Sequence, residues 1–375
     1  MTAAVTQGGG IGRYTRELVR ALAVQSDEFR YHLFSAKAAP QMPVSDSLPN
    51  GPHITYREAP LSHRWLYRLW YRLKIPAPVQ LLTGAIDLFH SPDFVLPPVA
   101  GSIPTLLTVH DLSFVHYPST FTPALIRFLE EVVPRSIKRA THVLADSQAT
   151  KRDLTDIWSV TAEKVTVLHS GVSDQFRPVV EAEKLDAVRR HYGIGPVPYL
   201  FSISTIQPRK NYQMLIRAFR PVSQQTPHSL IIAGGEGWLA DQVYAEVEAQ
   251  DLEERVRFIG FARDEDLPAL YSGADGLVFP SLYEGFGIPL LEAMACGTPV
   301  LAADASSLPE VAGDAAMLRA ADRQDLWTTA MIKLIEDEGL RKRLVEAGFR
   351  RAAHFSWSRA ATQLRSIYRD LLASD

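Results

Sequence analysis

The sequence predicts an α/β protein built from two Rossmann-like, doubly wound domains that face a cleft. Three observations carry that expectation. The chain has 375 residues, which at roughly 100–200 residues per domain points to two domains. Short apolar runs ending in small residues alternate with helix-patterned stretches, the order that gives a parallel sheet with helices on both faces. The apolar runs also lack period-two alternation, as strands do when both faces are covered.

In the first half, residues 11–24 read as an amphipathic helix and 31–34 and 53–56 as strands. Residues 86–89, 105–109, 142–145 and 165–168 continue the sheet. The FRPVV run at 176–180, followed by a polar helical stretch, sets the boundary between domains 1–176 and 177–355. In the second half, 199–204, 230–234, 256–260, 276–280 and 299–303 read as strands. Helices fall between them at 212–220, 239–249, 265–271 and 289–296. A doubly wound domain normally opens with a strand that feeds a glycine turn. Only residues 1–7 precede Gly8-Gly9-Gly10, so the first strand, within 1–6, is expected to be very short or to lie upstream. No repeat of 20–50 residues and no low-complexity tract interrupts the pattern.

Composition narrows the class. With 46% hydrophobic and 22% charged residues, the chain has the make-up of a soluble globular protein with sizeable cores. A net charge of -3 gives no electrostatic footprint for nucleic acid. Cys296 is the only cysteine, which excludes an internal disulfide and fits a reducing compartment. No apolar run approaches the roughly 20 residues needed to span a bilayer, and residues 1–10 lack the basic and apolar regions of a signal peptide. The expected location is the cytoplasm.

In open α/β sheets, ligands bind outside the carboxyl ends of the strands, so the residues after each strand are the candidates for chemistry. The strongest group is Ser281-Leu-Tyr-Glu284-Gly-Phe-Gly287-Ile-Pro289-Leu-Leu-Glu292, which follows a strand and runs into a helix. Its glycines permit close approach of a ligand to the backbone. Pro289 suits a first helical turn, whose unpaired N–H groups attract phosphate. Two carboxylates framing that turn accept hydrogen bonds from hydroxyls. Phosphate plus polyol is what a sugar nucleotide presents; read singly, each glutamate is equally a cap or a solvated face.

These residues resemble retaining glycosyltransferases of family four, a GT-B fold. Glu284 and Glu292 match the family's Glu-x7-Glu signature, and the run EGFGIPLLEAMACGTPVLAAD is typical of it. The resemblance covers nearly the whole chain and is most specific from Ser202 to Gly313. It implies that Glu284 contacts hydroxyls of the donor sugar and Glu292 the ribose. It implies that backbone amides of Phe286 and Gly287 meet the sugar, and those of Leu290 and Leu291 the diphosphate. It also implies a last helix, within 356–375, that crosses back to the N-terminal domain.

Three other strand ends join this reading. Arg209 and Lys210, in Ser204-Thr-Ile-Gln-Pro-Arg-Lys-Asn211, are adjacent cations that can neutralise a leaving diphosphate; alone they would be a solvated pair. The family places an essential lysine at Lys210. Many members carry an arginine where this chain has Thr205, and Arg209 is expected to supply that charge. His110, in Thr108-Val-His-Asp111, can titrate near neutrality. The family has a functional histidine there, beside the donor sugar, with Asp111 orienting it or approaching the acceptor. Gly9 and Gly10 match a family loop near the donor diphosphate and acceptor. Gly260, ending the strand 256–260, would offer main-chain groups to the nucleobase.

Asp264-Glu265-Asp266 spells D-x-D, but it reads as the acidic first turn of a helix, and no metal is expected. The run HRWLYRLWYRLK at 63–74 interleaves cations with aromatics. Within 61–75 it reads either as an amphipathic helix on an anionic membrane surface or as a helix packed on the sheet with snorkelling cations. The segment HDLSFVHYP at 110–118, with the IQPRKN run, looks most like bacterial mannosyltransferases. The expected reaction moves mannose from GDP-mannose, or another hexose from a UDP- or dTDP-sugar, to a glycan or lipid-linked acceptor. The donor is a substrate, and no cofactor is expected. A non-hydrolysing UDP-sugar epimerase and a non-catalytic sugar-nucleotide sensor are the rival readings.

Overall fold

The computed structural model describes residues 9–25, 28–37 and 51–373. The expected first strand at 1–6, and Gly8, lie outside these. The chain divides into two compact units. The first holds Met1–His116, Thr122–Gly171 and Trp357–Asp375; the second holds Tyr117–Phe121 and Val172–Ser356.

The first unit begins with α1 (Gly10–Gln25), which buries Tyr14, Leu18 and Leu22 on one face, the spacing of an amphipathic helix. Strands β1 (Tyr31–Lys37) and β2 (Ile54–Ser62) pair in parallel as a two-stranded sheet. A helical turn, α2 (His63–Tyr67), follows and passes into a π-helical turn at Arg68–Arg72. Strands β3 (Phe89–Ser91) and β4 (Thr105–Val109) lead to α3 (Pro123–Arg139). After β5 (His142–Ala145) come α4 (Gln148–Trp158) and β6 (Val165–Val167). These four strands form a second parallel sheet in the order β3-β4-β5-β6. The C-terminal helix Trp357–Ala373 belongs to this unit and is tied to the end of α1 and to Glu28. The Gln25 amide donates to the Ser358 carbonyl at 2.6 Å, and Arg369 pairs with Glu28 at 2.5 Å.

The second unit starts at Val172, not at 177, because its N–H donates to the Phe355 carbonyl at 3.2 Å and Phe176 joins this unit's core. Tyr117–Phe121 belongs here for the same kind of reason. The Phe121 ring packs on Trp238 at 5.6 Å, and the Trp238 indole donates to the Thr120 carbonyl. The chain then alternates α5 (Ala182–His191), β7 (Tyr199–Ile203), α6 (Tyr212–Gln225), β8 (Ser229–Ala233), α7 (Asp241–Ala249) and β9 (Val256–Phe258). It continues with α8 (Leu267–Ser272), β10 (Gly276–Phe279), α9 (Ile288–Ala295), β11 (Val300–Ala303), α10 (Leu308–Ala312) and β12 (Ala316–Arg319). Two helices, α11 (Gln324–Glu336) and α12 (Glu338–Ala352), complete the unit. The six strands form one parallel sheet, β12-β11-β10-β7-β8-β9. Leu200, Phe201, Leu230, Ile232, Leu277 and Leu301 are all fully buried, which is why these strands read as continuous apolar runs. The sequence reading resolved no element between 303 and 357, where α10, β12, α11 and α12 lie.

Candidate functional site

Strands β7 and β10 are neighbours, yet β8 and β9 intervene in the chain. The winding direction reverses between them, and a doubly wound sheet opens its ligand crevice at such a switch point. The loops leaving these two strands, 204–211 and 280–287, therefore hold the candidate site.

The backbone fixes both loops before any ligand is considered. Gly234, after β8, has φ +142°, and a Cβ there would lie 1.9 Å from the Ser204 carbonyl oxygen. Only glycine lets these two strand ends lie so close. Pro208–Lys210 forms one tight turn, and Asn211 follows with φ +60°. The Asn211 amide donates to the Pro280 and Ala321 carbonyls at 3.2 and 2.8 Å. The Leu282 N–H donates to the Arg209 carbonyl at 2.9 Å, so the two loops are tied together.

This scaffold brings Arg209, Lys210 and Glu284 into one buried cluster. The Lys210 ammonium donates to Glu284 Oε1 at 2.5 Å. Arg209 Nη1 donates to the Tyr283 carbonyl and lies 3.4 Å from Glu284 Oε2. Both cations are at least nine-tenths buried. Burial pushes the Glu284 carboxyl up, but the Lys210 and Arg209 charges outweigh it and hold the group below its ordinary value. Glu284 is thus ionised at neutral pH. Its main chain is clamped: its N–H donates to Ser306 Oγ at 2.8 Å, and its carbonyl accepts from Ser307 Oγ at 2.9 Å.

Helix α9 starts beside this cluster. Gly287 sits at its N-cap with φ +112°, and Pro289 occupies the first turn, where a missing N–H costs nothing. Leu290 and Leu291 are fully buried and anchor the helix start. The Leu290 N–H donates to the Gly287 carbonyl at 3.0 Å. Phe286 is buried edge-on to Phe355 at 5.7 Å. Glu292, one turn further, is almost fully buried, and its Oε2 accepts from the Tyr271 hydroxyl at 2.7 Å.

In the first unit, His110 follows β4 and is buried. Its Nδ1 lies 2.8 Å from Asp146 Oδ2 and its Nε2 lies 3.1 Å from the Pro92 carbonyl. A carbonyl only accepts, so Nε2 carries a proton. Burial pulls the imidazole down, yet the Asp146 carboxylate overrides it and raises the ring to about 9. The pairing with Asp146 favours the imidazolium, whose two N–H groups would meet the Asp146 carboxylate and the Pro92 carbonyl, although burial also pushes the Asp146 carboxyl up. Asp111 does not orient it: Asp111 Oδ1 accepts from the Ser113 N–H and hydroxyl at 2.9 and 2.7 Å.

The remaining predicted residues fall as follows. Gly9 precedes α1 and Gly10 opens it; neither has a positive φ, and a Cβ at either would meet nothing within 4 Å. Gly260 has φ +67°, and its carbonyl accepts from the Gly234 N–H at 2.7 Å. Asp266 of the D-x-D triplet accepts from the Tyr192 hydroxyl at 2.9 Å and from Arg263 at 2.7 Å. The single amphipathic helix expected over 63–74 is instead a short α-helix and a π-helical turn. There the Leu73 N–H reaches the Arg68 carbonyl at 2.8 Å, and the Trp70 indole donates to the Ala77 carbonyl. Asp146, Ser306, Ser307 and Tyr271 were not singled out from the sequence. Only position after a strand marked the first three, and nothing local marked Tyr271.

Comparison with known proteins places the chain in a family. Residues 186–351 match the family described as glycosyl transferases group 1, and residues 8–176 match glycosyltransferase family 4. The O-antigen chain mannosyltransferase B of Escherichia coli is 31% identical over 367 residues, 96% of each chain. A D-inositol 3-phosphate glycosyltransferase of Salinispora arenicola is 28% identical, over 98% of this chain and 88% of its own. Sucrose-phosphate synthase from Thermosynechococcus elongatus superposes with a TM-score of 0.78 at 22% identity, over 99% of this chain and 95% of its own, which speaks to the fold. With two Rossmann-like units, a Glu-x7-Glu pair at the switch point and a full-length relative of this kind, the chain belongs to the glycosyltransferases of family four, with the GT-B fold.

Proposed function

We propose that this glycosyltransferase is a retaining, metal-independent enzyme that transfers mannose from GDP-mannose to a hydroxyl of a glycan or lipid-linked acceptor. The observation that carries the reading is the Arg209–Lys210–Glu284 cluster beside the start of α9. Two buried cations beside a helix N-terminus are suited to the charge that develops on a departing diphosphate. That set of groups does the work a divalent cation does elsewhere, so the donor enters as substrate with no resident cofactor. Glu284 bonds sugar hydroxyls and Glu292 the ribose. His110, with both ring nitrogens already engaged, contributes charge and orientation, not proton abstraction. Attack comes from the face the diphosphate leaves, which retains the anomeric configuration. The resemblance to an O-antigen mannosyltransferase favours mannose and a polysaccharide-type acceptor.

The segment 61–75 supports work at the cytoplasmic face of a membrane. Trp65 and Leu73 are more than half exposed, and Arg64, Arg68 and Arg72 are exposed around them. Exposed aromatics among cations suit anionic headgroups.

The test is radiolabelled GDP-mannose, UDP-glucose and a dTDP-sugar, each incubated with and without glycan acceptors, alongside a thermal-shift screen. GDP-mannose at about 100 times its Kd should stabilise the protein by about 2.7 kcal/mol, and label should move to acceptor with or without EDTA. Isomerisation of a UDP-sugar alone would mean an epimerase, and binding without turnover a sensor. A steep loss with EDTA would restore a metal to the mechanism.

A further inference from the structure

The same cluster holds a competition. Arg209 and Lys210 are two buried cations whose shared carboxylate is Glu284. A buried charge needs a counter-charge nearby, and here the protein supplies it from its own side chain. The diphosphate of a sugar nucleotide carries about two negative charges and, on the reading above, seeks the same two cations. Carboxylate and phosphate cannot share them without repulsion. We propose that Glu284 is an internal counter-anion, and that donor binding is an anion exchange in which the diphosphate takes over Lys210 and Arg209 and the displaced carboxylate turns to the sugar hydroxyls.

The local geometry suits such an exchange. The main chain of Glu284 is held on both sides, by Ser306 at its N–H and by Ser307 at its carbonyl. Arg209 is held by the Tyr283 carbonyl and keeps that bond when the carboxylate leaves. Only side-chain torsions of Glu284 need change, so the exchange asks for no loop movement.

A consequence separates donor from product. An intact sugar nucleotide returns hydroxyl partners to the displaced carboxylate. A bare nucleoside diphosphate evicts the carboxylate and returns nothing. Glu284 therefore opposes product binding while assisting donor binding, and this inference rests on the site taking a nucleotide diphosphate at all.

Isothermal titration of GDP, UDP and inorganic pyrophosphate into the full chain and its Glu284→Gln variant tests it. Removing the competing charge should tighten binding of the preferred nucleoside diphosphate and of pyrophosphate by about tenfold, the scale of one exchanged charge-assisted hydrogen bond. Sugar transfer by the same variant should fall at least about a hundredfold. Opposite signs for binding and turnover are what a merely structural role would not give. Glu284→Ala should repeat the result and guards against a fold defect special to glutamine. Equal or weaker diphosphate binding by both variants would overturn the exchange while leaving the donor site standing. No binding of any of the three ligands to either the unmodified chain or the variants would overturn the exchange and the donor site together.

Discussion

The two units repeat one alternation of strand and helix but bury it differently. In the second unit every strand joins a single six-stranded sheet, and the residues of β7, β8, β10 and β11 are almost all fully buried. In the first unit, among the described residues, β1–β2 and β3–β6 are separate sheets. Strand β2 leaves most of its residues exposed. Precise chemistry needs groups held by packed, rigid elements, and the Arg209–Lys210–Glu284 cluster sits on the continuous sheet. The difference teaches that the candidate cluster stands where the described strands pack as one continuous sheet, whereas β1–β2 and β3–β6 pair, among the described residues, only within themselves.

The most damaging way to probe this contrast is to cut into each core. Trp327 of α11 is fully buried, and its indole donates to the Ala320 carbonyl at 3.0 Å. Trp327→Ala should cost about 3–5 kcal/mol and speed hydrogen exchange across β7–β12 as one cooperative block. Leu66 lies in a small cluster with Ala36 and Ala59, backed by Trp70 and Leu82. Leu66→Ala should cost about 2 kcal/mol, the low end for such a change, and speed exchange in β1–β2 while β3–β6 keep their protection. Equal acceleration in both sheets of the first unit would show that they open together, and the contrast would fail.

A smaller effect separates chemistry from packing within the second unit. Lys210→Ala should lower transfer by at least about a hundredfold, the scale of one lost charge stabiliser. Exchange protection of the six-stranded sheet should stay unchanged, because the loop is held by Asn211 and by the Leu282 N–H bonded to the Arg209 carbonyl. Near-normal turnover would remove Lys210 from the mechanism.

How much of this was legible in the sequence follows from the same contrast. Strands buried on both faces announce themselves as apolar runs, so 105–109 and 142–145 were read with the bounds that β4 and β5 have. Lys210 and Glu284 were readable because each stands just beyond such a run. Their mutual contact at 2.5 Å was not, since 74 residues separate them. Asp146 was missed although the register explains it. Val109 pairs with Ala145, so the next residues of the two strands, His110 and Asp146, come side by side. That register is a tertiary fact, and the adjacent Asp111 was the only partner local reading offered. β12 was missed because its run, AMLR, is short and half-exposed. The π-helical turn at Arg68–Arg72 was missed because the aromatic–cation spacing also fits an ordinary helix.

The His110–Asp146 pair gives the mildest expected effect and tests whether charge in the first unit matters to the reaction. An imidazole raised to about 9 contributes stability that is fully present below its ordinary value near 6.5. That contribution is lost as pH rises through about 9. Asp146→Asn removes the carboxylate but keeps the geometry. The asparagine amide can donate to Nδ1 while Nε2–H still donates to the Pro92 carbonyl, so a neutral ring satisfies both contacts. The variant should therefore fold, lack the decline in stability between about pH 6.5 and pH 9 expected of the parent, and transfer sugar roughly tenfold more slowly at neutral pH, a cost of about 1.4 kcal/mol. Thermal unfolding against pH reads the first effect and initial rates read the second. A variant that keeps the parent's alkaline decline would show that Asp146 does not hold the proton on His110, and the charge assigned to the first unit would have to come from elsewhere.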